Sequence, residues 1–142
     1  MDPKIWGPFT WKFIHTSACA FPDEPTQEQQ QSAIALFRSL QDMLPCASCQ
    51  NHWRQNLAKN PVENHVHSGE SLFRWTFNIH NAVNQSLGKK IRVDFDQTYS
   101  KYKSMRVWIS QAEKKLSRAP DEHLDYLETV LARERERREN AP

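Results

Sequence analysis

Apolar residues in this chain recur at three- and four-residue steps between prolines, and that period constrains the fold more than any other feature of the sequence. Val and Ile are sparse, alternating runs are nearly absent, and proline or glycine closes most of the periodic stretches. An all-α fold follows. With 142 residues the chain has room for one domain that buries roughly two-thirds of its unfolded surface.

A first amphipathic helix is expected over about Pro8 to Ala20, with Phe9, Phe13 and Ile14 on one side. It stops at Phe21-Pro22, because proline disfavours helical geometry in the residue before it. Thr26 and Gln29 form a capping box for a second helix, whose stripe is Ala33, Leu36, Phe37, Leu40 and Leu44, ending before Pro45. Pro45 suits the start of a third, over about Cys46 to Leu57. Lys59 to Gly69 reads as a loop, and Ser68 can cap a fourth helix carrying Leu72, Trp75, Phe77, Ile79, Val83 and Leu87 to the stop at Gly88. Ile91-Arg92-Val93 is a candidate extended piece, and Phe95 to Ile109 a short fifth helix. Beyond Pro120 a further helix with Leu124, Leu127, Val130 and Leu131 runs into the charged stretch from Arg133 to Glu139. The expectation is a four-helix bundle with a short fifth helix over residues 1–105, followed by a charged helical extension over 106–142.

Several function classes are excluded. Nineteen Lys and Arg against seventeen Asp and Glu leave a formal charge of +2, which argues against generic nucleic-acid binding. Three glycines cannot build a Gly-rich phosphate loop. Met1 to Gly7 has no apolar core of a signal peptide, and no window approaches the roughly 18 apolar residues that cross a bilayer. A cytoplasmic protein without membrane association is expected. The aromatic load of five Trp, seven Phe and three Tyr is heavy for a mean hydropathy of −0.81.

Cysteines number three, an odd count too small for a disulfide scaffold. Cys46 and Cys49 would share one face of a helix's first turn, close enough for a reversible bond. Unpaired N–H groups and the helix dipole there stabilise a thiolate, which favours thiol exchange. A zinc site from Cys46, Cys49, His65 and His67 is the alternative, although a His-x-His spacing is tighter than structural fingers use. Cys19, on an apolar helix segment, reads as a small buried hydrophobe, with an intersubunit bond as the sharper option. On the fourth helix His80, Asn81 and Asn84 line one face, in a segment that also holds Phe73, Trp75, Phe77 and Ile79. Such an aromatic wall with a few fixed polar groups suits a flat heterocycle, and Trp11, Trp53 and Trp75 are candidates for flanking it.

Four motifs then stand in order: Trp6-Gly7-Pro8-Phe9-Thr10-Trp11-Lys12-Phe13-Ile14-His15, Phe21-Pro22, Pro45-Cys46-Ala47-Ser48-Cys49-Gln50-Asn51-His52-Trp53, and His80-Asn81-x-Val83-Asn84-x-x-Leu87-Gly88-Lys89. Together, over about Trp6 to Phe95, they resemble the Erv/ALR FAD-dependent sulfhydryl oxidases, in a compact form like those of large DNA viruses. The resemblance implies a helical bundle with FAD at its mouth, a homodimer, and oxidation of protein dithiols, supplied directly or by a carrier, with oxygen giving hydrogen peroxide. It implies that Gly7, Trp11 and His15 approach the flavin, that His80, Asn81 and Asn84 hold the adenine and ribose side, and that Lys89 faces the phosphates. Cys49 would lie nearest the flavin with Trp53 beside it, and Cys46 would be the outer sulfur that substrate attacks, Cys49 leaving as a thiolate stabilised by the helix end. The family also implies an aromatic near the adenine, for which Tyr99, Tyr102 and Trp108 compete. Many members carry a second disulfide before the fourth helix or a shuttle pair on a tail; this chain has neither.

Overall fold

The computed structural model describes residues 2–89 and 93–116, with side chains described to 105 and at 111. Within those residues every regular element is helical, with no strand: α1 Pro3–Ala20, α2 Gln27–Met43, α3 Ala47–Lys59, a 3₁₀ turn Val62–His65, α4 Gly69–Ser86 and α5 Phe95–Leu116. It divides into two compact units, Met1–Arg106 and Val107–Pro142, and the site described below lies in the first. The expected helix beyond Pro120, the charged stretch after it and Ile91-Arg92 of the extended piece fall outside the described residues. No helix among the described residues is long and apolar enough to cross a membrane.

Helix α1 starts five residues before the expected Pro8. Asp2 caps it by accepting the Lys4 N–H at 2.9 Å, and Pro3 takes the first helical position, where a missing N–H costs nothing. Pro8 therefore lies inside the helix, near enough to the start that the ladder continues past it. The expected face also splits. Phe9 and Ile14 are five residues apart, about 140° around a helix, so Ile14 is buried while Phe9 and Phe13 are exposed.

Helix α2 opens with the predicted capping box, Gln29 N–H on Thr26 Oγ1 and Thr26 N–H on Gln29 Oε1, and buries Ala33 and Phe37. Ser68 caps α4 by accepting the Ser71 N–H. Gly69, expected in the loop, is instead the first residue of α4: a Cβ there would run into the Phe21 carbonyl oxygen, so the absence of a side chain lets α4 begin against the end of α1. Helix α4 buries Leu72, Phe73, Trp75, Thr76 and Ile79 and packs on α1, while α2 packs on α3. Trp75 sits edge-on to Trp53 and Phe37. The fifth helix is 22 residues long, not short, and its Phe95, Tyr99 and Tyr102 pack on Phe73.

Candidate active site

The thiol pair stands at the N-terminus of α3. Cys46 is the N-cap rather than part of the first turn. From there its Sγ accepts the Cys49 N–H at 3.4 Å and lies 3.1 Å from Ser48 Oγ. Hydrogen bonds from the Cys49 thiol, then from Ser48 and the Cys49 N–H, pull the Cys46 thiol down to about 7. Cys49, one turn in, is pushed up to about 11 by burial, by its hydrogen bond to Cys46 and by the charge that Cys46 carries. In the dithiol the stabilised thiolate is thus Cys46. Cap geometry is the reason: a side chain at the cap accepts from the third helical N–H, and Cys49 is the residue that supplies that N–H.

One turn after Cys49, Trp53 is buried with its indole N–H on the Phe37 carbonyl at 2.8 Å. Its ring lies 6.0 Å from Trp11. Trp11 stacks flat on His80, with centroids 3.9 Å apart and planes 4° apart, and on His15 one turn along α1 at 5.7 Å. A Cβ on Gly7, one turn before Trp11, would meet open space. Three helices thereby bring Trp53, Trp11, His15 and His80 into one cluster of rings, with Cys49 one turn before Trp53 on α3.

His15 bridges α1 and α4, with Nδ1 3.0 Å from Thr76 Oγ1 and Nε2 2.9 Å from His80 Nδ1. Burial, then the neighbouring His80, pulls His15 down to about 4. Burial, then the Lys89 cation, does the same to His80. Both rings are neutral at neutral pH. Lys89 comes close because α4 ends in a Schellman motif: Gly88 has φ 68°, its N–H bonds the Gln85 carbonyl, and the Lys89 N–H bonds back to Asn84 at 2.9 Å. Asn84 is buried and Asn81 half-buried on the same helix. An aromatic plate, amides and a cation are a donor set that fits a flat dinucleotide.

Residues 8–108 match the Erv1 / Alr family. The chain belongs to that family. A probable FAD-linked sulfhydryl oxidase of Acanthamoeba polyphaga mimivirus is 38% identical over 92 residues, which is 64% of this chain and 64% of that protein. An FAD-linked sulfhydryl oxidase of Arabidopsis thaliana is 38% identical over 85 residues, 60% of this chain and 44% of that protein. The chain thus spans less than two-thirds of the viral relative and less than half of the plant one. Among solved structures, the FAD-binding domain of Erv1 from Saccharomyces cerevisiae superposes with a TM-score of 0.68 at 27% identity, over 73% of this chain and 96% of that one.

Within this Erv1/Alr chain some expected residues are placed elsewhere. Cys46, Cys49, His65 and His67 do not form a ligand set: among the described residues no three His, Cys, Asp or Glu are grouped to hold a metal ion. His65 instead pairs through Nε2 with Asn60 Oδ1. Trp75 is fully buried with its indole N–H on the Asn60 carbonyl, so it is core and flanks nothing. Cys19 is buried, as expected of a small hydrophobe. Tyr102 lies 5.5 Å from the His15 ring, Tyr99 packs on Phe73 and Phe95, and the Trp108 side chain is outside the described residues. Ser48 and Thr76 were missed by sequence reasoning. Thr76 stands four residues before His80, on the same helical face, which is the signal that could have found it.

Proposed function

We propose that this chain is an FAD-dependent sulfhydryl oxidase that forms disulfides in protein dithiols through Cys46 and Cys49, the electrons passing by way of the flavin to oxygen to give hydrogen peroxide. The observation that carries the reading is the placement of an activated thiol pair one helical turn before Trp53 on α3, with Trp53 6.0 Å from the Trp11 that stacks flat on His80.

With the pair oxidised, a substrate thiolate attacks Cys46 Sγ, and the Cys46–Cys49 bond breaks with its electron pair on Cys49. The causes that raise Cys49 in the dithiol include a hydrogen bond to Cys46 and the Cys46 charge. Both vanish once Cys46 is in a mixed disulfide, which makes Cys49 a better leaving group than its dithiol value indicates. The substrate's second thiol then resolves the mixed disulfide and releases Cys46 as the thiolate that its cap donors stabilise. Gly7, Trp11, His15, Trp53, His80, Asn81, Asn84 and Lys89 would hold the FAD, with Lys89 toward the phosphates. Bound there, FAD supplies a two-electron acceptor that returns Cys46 and Cys49 to the disulfide.

Ile5, Phe9 and Phe13, one turn apart on α1, are 70%, 74% and 53% exposed, and this apolar stripe supports a homodimer. The same reading has the enzyme take its substrates directly or from a carrier in the cytoplasm, where ambient conditions keep thiols reduced. Protein purified without added cofactor is expected to be yellow with a flavin spectrum, free of stoichiometric zinc, and to consume oxygen when given a dithiol. Colourless protein that leaves dithiols reduced would overturn the proposal.

A further inference from the structure

The hydrogen bonds around His15 contain more protons' worth of information than their distances alone. The Thr76 hydroxyl lies 2.8 Å from the Phe73 carbonyl, one turn back in α4, and 3.0 Å from His15 Nδ1. A hydroxyl has one proton to give. A carbonyl can only accept, so the shorter contact takes that proton, and Thr76 Oγ1 is left to accept from His15 Nδ1–H. A neutral imidazole carries one N–H, so His15 Nε2 must accept, and the donor 2.9 Å away is His80 Nδ1–H. The same count leaves His80 Nε2 without a proton.

We propose that Thr76 is a positioning residue that sets this proton order, so that His80 offers an unprotonated Nε2 to a hydroxyl or N–H of the bound nucleotide. The ligand half of the proposal rests on the FAD reading above; the proton order does not. It follows that a phosphate oxygen, which can only accept, is not what His80 meets. A ribose hydroxyl or an adenine amino group has the matching chemistry. The Trp11 stack and the His15 bond fix the ring plane of His80 and one of its edges, so the direction of the free lone pair is fixed with them.

The experiment uses the full chain labelled with 15N-histidine and long-range proton–nitrogen correlation spectra at neutral pH. His15 and His80 are expected in the Nδ1–H form, the minority tautomer of free imidazole. Thr76→Ser should keep it. Thr76→Val keeps the shape but leaves His15 Nδ1–H buried without an acceptor, so His15 should move its proton to Nε2 and His80 should follow, turning its outward nitrogen into a donor. FAD dissociation from Thr76→Val should then weaken affinity by about tenfold, the scale of one mismatched hydrogen bond. Wild-type protein with both protons on Nε2 would overturn the proton order whether or not Thr76→Val folds. Unchanged tautomers in Thr76→Val would overturn the role of Thr76. Reversed tautomers with unchanged FAD affinity would overturn the claim about the ligand. Because the tautomer spectra need no flavin, failure of the FAD reading is told apart from failure of this one.

Discussion

The mouth of α3 and the seam between α1 and α4 handle charge in opposite ways. At the mouth, Cys46, Ser48 and Cys49 lie within four residues, half in solvent, and their donors stabilise an anion, bringing Cys46 down to about 7. At the seam, His15 and His80 are 65 residues apart in sequence, and burial suppresses charge, helped by His80 at His15 and by the Lys89 cation at His80, bringing both to about 4. Hydrogen bonding to the charged form favours it, and desolvation disfavours it. Two low values therefore mean opposite things: the thiol is ready to react, and the imidazoles are held neutral as fixed parts of a wall.

The largest expected effects separate the two regions outright. Cys49→Ser should cut dithiol turnover by on the order of a thousandfold or more while flavin absorbance stays at the wild-type level. Trp11→Ala removes the plate stacked on His80 and should weaken flavin binding by roughly tenfold, yet leave the pH profile of Cys46 alkylation unchanged. Turnover assays, flavin absorbance and alkylation read by mass spectrometry check both. A Trp11→Ala protein whose thiol profile moves would show that the two regions are one electrostatic unit.

Acid should act on the seam first. His15 and His80 titrate near 4 in the folded chain and at 6.5 when unfolded. Between those values the unfolded state binds more protons, so stability is fully present above about 6.5 and is lost as pH falls toward 4. For His15 the full loss is on the order of 3 kcal/mol. Urea unfolding from pH 7 to pH 5 should show the decline in wild type and equally in Cys46→Ser, with the decline roughly halved in His15→Gln, where His80 alone still titrates. A flat profile over that range contradicts the assignment of both rings as buried and neutral.

How well each region could be read in the sequence follows from the same contrast. Cys46 and Cys49 are three residues apart, so spacing and Pro45 place the pair at a helix start but leave thiol exchange and zinc binding both open; the cap register, which decides which sulfur holds the charge in the dithiol, required coordinates. The stop signals at Pro22, Pro45 and Gly88 and the caps at Thr26 and Ser68 placed helix ends closely, because each acts within a turn. The start of α1 was misplaced because two prolines compete and Asp2-Pro3 is as good a beginning as Pro8. The stack of Trp11 on His80 and the burial of Trp75 depend on which helix faces which, and no local period encodes that. Gly69 belongs with these long-range facts. It was read as a loop breaker, yet it is the point where α4 meets the Phe21 carbonyl. Gly69→Ala should cost about 1–3 kcal/mol by overpacking, measured by urea unfolding, and an unchanged midpoint would mean that the two helix ends do not touch.

The smallest expected effect tests the mouth by itself. Ser48 Oγ lies 3.1 Å from Cys46 Sγ, and its hydrogen bond helps the one from Cys49 to lower the Cys46 thiol. Either atom can carry the shared proton while Cys46 is a thiol; once Cys46 is a thiolate, only Ser48 can donate. The bond is therefore stronger in the charged state, which is the condition for it to lower the thiol. Ser48→Ala removes it and leaves the Cys49 donors in place, so Cys46 should move upward by roughly one pH unit, the scale of a hydrogen bond to a charged group at a half-exposed site. The half-point of iodoacetamide labelling at Cys46 measures that shift directly in the reduced protein. Histidine tautomers at the seam should not move, and turnover near pH 7 should fall only a few-fold, because Cys49→Ser removes a bond-forming atom whereas Ser48→Ala only lowers the thiolate fraction. A labelling curve that stays in place would leave the thiolate to the Cys49 donors alone.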